Sequence, residues 1–151
     1  MCKYCNLLTF PILDSTTIVH AFAVFALFGL IWTIQLVHYP MFKYVEAPHW
    51  PRAHTAHSRN MTFLVFPLML IELLTCLQLV IENGDLINIV SLSCCLLTWL
   101  FTLVIFLPLH QRVAVRPIPN LLALLTRLNW LRTIVWTISA ANVFTQLLGE
   151  K

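Results

Sequence analysis

The sequence predicts an all-α integral membrane protein, a four-helix bundle running up-down-up-down, and three observations predict it. The chain has 151 residues, 60% of them apolar and only 10% charged, against roughly 45–50% and 25% in soluble domains. Four apolar segments, about 15–39, 61–81, 86–107 and 121–148, each reach the roughly 20 residues that a helix needs to cross some 30 Å of hydrocarbon. The breaks between them are built from prolines and one Asn-Gly-Asp turn. A soluble core of this size has too little interior to hide so much apolar surface, so lipid is expected to be part of the solvent. Residues 1–151 read as a single transmembrane domain.

The first segment opens after Asp14, carries His20 and Gln35, and stops at Pro40. The residues before it lack a basic n-region and no A-x-A site follows it, so it is expected to be a retained helix and not a cleaved signal. The second carries Glu72 and Pro67; the proline removes a backbone donor and is expected to kink the helix or free a carbonyl. Asn83-Gly84-Asp85 is a tight-turn signal joining it to the third segment, which has no charged side chain. Pro108, Pro117 and Pro119 precede the fourth, which carries Arg127 and Arg132. With links this short, sequential helices are expected to pack as antiparallel neighbours.

The formal net charge of +3 is small and scattered, which argues against a nucleic-acid partner. It sets topology instead. Lys43, Arg52, Arg59, Arg112, Arg116 and Arg127 gather at one end, opposite Lys3, Lys151, Glu82 and Asp85. The basic end is expected to be cytoplasmic, in a bacterial inner membrane, with both termini on the non-cytoplasmic side. Three glycines leave no nucleotide-cradling loop. Cys2 and Cys5 form a C-x-x-C with no second pair to complete a zinc site. Cys76, Cys94 and Cys95 lie in apolar runs, where cysteine behaves as a small hydrophobe.

Ionisable residues in a membrane span point to function and call for partners. Glu72 and Arg132 sit at matching positions in helices that start on the same side, each roughly 16 Å deep at 1.5 Å per residue. They are therefore expected to approach each other, as a structural ion pair or as part of a mechanism. Five of the six histidines lie near the basic end. His54 and His57 form H-x-x-H, one face of a helix if the segment is helical. Trp99, Thr102, Phe106 and His110 make a stripe at helical spacing, as do Asn129, Arg132 and Trp136.

If these stripes face inward, His38, His54, His57 and His110 ring a pocket at the cytoplasmic half, with Glu72 and Arg132 at its floor. Imidazole suits iron, copper and zinc, and a carboxylate adds a harder ligand, so a transition metal or haem is one reading. In it Glu72 carries a proton or ligates, Arg132 holds its charge, and Asn129 binds substrate or orients a ligand. The plainer reading makes these residues interhelical hydrogen bonds, with Gln35 and Asn129 as glue. Trp32, Tyr39, Trp50 and Trp130 are then interfacial anchors.

Several stretches carry a resemblance. Gln35–Phe42 (QLVHYPMF), His54–Arg59 (HTAHSR) and Pro67–Glu72 (PLMLIE) look like uncharacterised small bacterial four-helix membrane proteins. Pro108–Arg112 (PLHQR) and Arg127–Thr133 (RLNWLRT) fit the same pattern and are distantly similar to anthrone oxygenase-like membrane proteins. The first helix, with His20 before a Gly29-containing apolar run, resembles haem-dependent four-helix protoporphyrinogen oxidases. That resemblance implies a haem ligand at His20 and a lysine in the second helix, where this chain has only Glu72.

Three functions are compatible with these readings. The first is a metal- or haem-dependent redox or oxygenase-like enzyme, taking a small apolar substrate from the bilayer. The second is a small proton-coupled carrier switching on Glu72 and Arg132, which with four helices would need to form a homo-oligomer. The third is an assembly or structural subunit of a larger membrane complex.

Overall fold

The computed structural model describes residues 14–149, and every regular element among them is helical. Cys2, Lys3, Cys5 and Lys151 lie outside the described residues. Helix α1 (Ser15–Thr33) is capped by Asp14, whose carboxylate accepts from the Thr16 N–H at 3.1 Å. It runs on through a π-turn (Ile34–His38), a single α-turn, α2 (Tyr39–Met41), and a 3-10 turn (Phe42–Tyr44). Helix α3 (Trp50–Glu82) begins well before residue 61, where the sequence pattern placed its start, because Pro51 sits in its first turn, a position that needs no N–H. The early start makes His54 and His57 helical. Pro67 lies inside α3 without ending it.

Asp85 caps α4 (Leu86–Phe101), accepting from the Asn88 N–H at 2.8 Å. The chain then passes through a second π-turn (Thr102–Phe106) into α5 (Leu107–Val113), beyond the end expected at residue 107. The two π-turns have the same cause. Tyr39 and Leu107 each precede a proline, and their N–H groups reach back five residues, to the carbonyls of Ile34 and Thr102. A proline without an N–H cannot continue the regular ladder, so the helix widens ahead of it and re-aims the residues beyond.

Helix α6 (Pro119–Gly149) completes the set. The stretches Ser15–Tyr44, Trp50–Glu82 and Leu86–Val113 are long and apolar enough to cross a membrane. Helix α6, expected to be a fourth such span, is long enough but more polar, with Arg127, Asn129, Arg132, Asn142 and Gln146 along it.

Helix α1 packs on α3 and α6, and α4 packs on the same two. His20 near the start of α1 meets Thr75 near the end of α3, while His38 meets His57 near the start of α3, so these two run in opposite directions. The largest apolar cluster, with Leu27, Ile31, Met69, Phe106, Leu125 and Trp136, lies toward the basic end. Toward the other end Ala21, Val24, Ala140 and Val143 form a second cluster of small side chains. The polarity is inverted relative to a soluble domain. Phe63 and Ile81 are 83% exposed, while His20, Glu72 and Asn129 are 0% exposed.

Trp50 is a correction to its reading as an interfacial anchor. It is fully buried, meets the Phe42 ring edge-on, and donates from Nε1 to the Val113 carbonyl at 2.6 Å. It thereby ties the start of α3 to the end of α5. Trp50→Phe keeps most of the ring but orphans that carbonyl, and is expected to cost about 1–3 kcal/mol. Trp50→Ala also opens a cavity and should cost about 3–5 kcal/mol. Thermal unfolding in mild detergent checks both; an unchanged Tm for Trp50→Phe would show that the bond contributes nothing to stability.

Candidate functional site

The π-turn at the end of α1 presents His38 and Tyr39 to the first turns of α3, and the π-turn after α4 brings His110 to the same place. His54 Nε2 lies 3.1 Å from His110 Nδ1, and His110 Nε2 lies 3.2 Å from the Tyr39 hydroxyl. Both nitrogens of His110 are therefore engaged, in a chain Tyr39–His110–His54 that crosses three segments. His57 stacks on His110 with ring centres 6.4 Å apart, and His38 meets His57 edge-on at 5.5 Å. The four histidines grouped from the sequence do come together. Tyr39, read from the sequence as an interfacial anchor, is instead buried and links them to the core.

Beside this group lies a cavity of about 320 Å³. Its polar wall includes Tyr39, His57, Ser58, His110 and Arg132, and its apolar wall includes Met69, Trp99 and Phe106. Its size and mixed lining fit a small, mostly apolar molecule. A wider groove of about 630 Å³ lies on the other side of Tyr39, between Lys43 and Arg127.

Arg132 is buried at 6% exposure. Its guanidinium lies 4.7 Å from the Phe106 ring centre and 5.1 Å from that of Trp136, an arrangement in which aromatic faces stabilise the cation. The expected Glu72–Arg132 ion pair is not formed. Glu72 Oε2 accepts from Trp136 Nε1 at 3.3 Å, Glu72 Oε1 has no hydrogen-bond partner, and neither does Arg132 Nε. Instead the Trp136 indole serves both residues, its face toward the cation and its N–H toward the carboxylate. Depth is readable from helix position; a large side chain from α6 taking up the space between is not.

Asn129 donates to Gln35 Oε1 at 2.9 Å, and Gln35 donates in turn to the Thr126 carbonyl at 3.3 Å. This is the interhelical glue of the plainer reading, and Asn129 is not among the residues lining the cavity. His20 is buried between α1 and α3, with Nδ1 3.0 Å from the Thr75 hydroxyl and 3.9 Å from Cys76 Sγ. It lines neither of these two cavities, and its Nε2 is buried without a hydrogen-bond partner.

Among the described residues, no group of three or more His, Cys, Asp or Glu side chains is disposed to hold a metal ion. The structure thus gives the four-histidine metal centre no support: His54 and His110 point at each other, and His110 points onward to Tyr39.

Trp136→Phe keeps the ring beneath Arg132 but leaves both Glu72 oxygens without a partner. It is expected to destabilise the protein by about 1–3 kcal/mol. Adding Glu72→Met should cost less than the two single changes summed, because the orphaned carboxyl is then gone. Strict additivity in thermal unfolding would show that the two side chains are not coupled.

Comparison with family models, curated proteins and solved structures found no match, so the reading of this site rests on its own geometry.

Proposed function

We propose that the chain is an integral membrane protein crossing the bilayer as an up-down-up-down four-helix bundle. Its basic end is cytoplasmic and both termini are on the other side. The apolar outer surface and the three long apolar spans support this reading. Helix α6, too polar to face lipid all round, buries Arg132 and Asn129 against its neighbours.

The cavity beside the histidines is the active site of an oxidoreductase-like enzyme acting on a small apolar molecule taken from the bilayer. The observation that carries this is the chain Tyr39–His110–His54, whose first two members line the cavity. A neutral imidazole has one donor and one acceptor nitrogen, so a proton accepted on one side of His110 can be released on the other. His54 lies about one helical turn from the exposed Pro51 and Arg52 at the start of α3. Such a relay moves protons between the cavity and the aqueous edge, which acid–base and redox chemistry on an apolar substrate both require. These side chains would supply proton transfer only; the electrons of an oxidoreductase would come from a bound transition metal or haem, or from a second, redox-active substrate.

A carrier is the second reading, favoured by the unpartnered oxygen of Glu72 beyond Trp136, where a proton path through the core would continue. Proton-coupled uptake in liposomes, lost in Glu72→Gln, would select it over the enzyme.

Protein isolated in mild detergent without chelator is expected to retain a lipophilic compound detectable by mass spectrometry, and to lose it in the cavity-filling variant Met69→Trp. Iron, copper, zinc or a Soret band near one per chain, falling when His54 and His57 become alanine, would replace the relay with a metal-centred mechanism. His110→Phe keeps the ring bulk and cuts the relay. It should leave compound retention intact while lowering turnover of that compound about 100-fold or more; unchanged turnover would remove the relay from the mechanism.

A further inference from the structure

Resting on that reading of the cavity, the geometry points to the class of its ligand. We infer that the cavity takes a small lipophilic anion, an apolar, ring-sized body bearing a carboxylate or an ionised phenolic or enolic oxygen, with that oxygen seated on Arg132.

The first observation is charge. Arg132 is a buried cation, and burying a charge without a counter-charge is costly. Of the acidic residues among those described, Asp14, Glu46, Glu82 and Asp85 are exposed. Glu72, the remaining one, directs one oxygen to Trp136 and leaves the other without a partner. Two aromatic rings soften the cost at the faces of the guanidinium. Its edge, where oxygen acceptors bind in the plane, belongs to a residue on the cavity wall.

The second observation is the balance of donors and acceptors. Three buried polar atoms on residues lining the cavity have no hydrogen-bond partner: Arg132 Nε, Trp99 Nε1 and Ser58 Oγ. Arginine and the indole N–H can only donate. The hydroxyl of Thr102, also on the wall, already donates to the Thr98 carbonyl at 2.7 Å. The walls thus hold unpartnered polar atoms just behind the cavity surface, beside a positive charge, and a ligand whose polar atoms accept and carry negative charge answers that charge. Trp99, Phe106 and Met69 supply flat or pliable apolar walls for its body.

The test uses the full chain in phosphatidylcholine nanodiscs, with naphthoate and its neutral isostere naphthamide as probes, and empty nanodiscs as the partition control. Naphthoate is expected to bind at least about tenfold more tightly than naphthamide. Arg132→Gln, which keeps donors but drops the charge, should erase the difference. Trp99→Phe should weaken naphthoate severalfold and leave naphthamide nearly unchanged. Equal affinity of the two probes, both blocked by Met69→Trp, would leave the cavity as a binding site and overturn its preference for anions. Binding of neither probe would overturn the preference and the cavity reading together. Should Arg132→Gln fail to fold, Trp99→Phe decides: unchanged naphthoate affinity overturns the inference.

Discussion

Every polar side chain inside this protein has to find its partner on another helix, or in its own helix's backbone, because the outer surface is apolar and the interior holds the polar groups. That constraint organises the whole arrangement. At one end Asn142 donates to the Ile87 carbonyl and the Ser91 hydroxyl, both at 2.9 Å, joining α6 to α4. Toward that same end His20 meets Thr75 across α1 and α3, and nearer the basic end Asn129 meets Gln35 across α6 and the π-turn after α1. At the other end Trp50 closes α3 onto α5. Apolar side chains on these helices gain little by facing one another where the surroundings are equally apolar. Register and pairing are then set by hydrogen bonds and close packing, and the small side chains of the Ala21–Val143 cluster permit the close packing.

Where that rule is left unfulfilled, several of the unfulfilled atoms gather in one place. Arg132 Nε, Trp99 Nε1, Ser58 Oγ and His38 Nδ1 lie in or around one cavity, beside the bonded chain of Tyr39, His110 and His54. His20 Nε2, Glu72 Oε1, Asn129 Oδ1, Ser139 Oγ and Gln146 Oε1 also lack partners, but they are not on residues that line this cavity. Buried polar groups held ready without partners are typical of places where something else supplies the partner.

The cavity owes its shape to two prolines. A π-turn lies just ahead of each of Pro40 and Pro108, and the residues beyond the two turns meet at the same end of the molecule. The Arg132–Trp136–Glu72 stack lies one level deeper, where aromatic faces hold a cation that no carboxylate reaches.

By itself the sequence determined the helical class, four apolar segments, the turn at Asn83–Asp85 and the gathering of basic residues at one end, because each depends on composition or on neighbours a few residues away. It also placed His38, His54, His57 and His110 near one level, since rise per residue converts position into height. Only the tertiary structure decided what lies beside what. Trp136 stands between Glu72 and Arg132, His54 faces His110 instead of joining a four-membered ligand set, and Trp50 is a buried strut. The early start of α3 and the two π-turns could be read from Pro51, Pro40 and Pro108 as permitted events, but a proline allows several local outcomes. Which one forms is settled by the partners that packing brings within reach: the Val113 carbonyl for Trp50, and His110 for Tyr39. Height along a helix is a local property of the chain, while rotation and lateral neighbours are collective ones, and the candidate site is made of the latter.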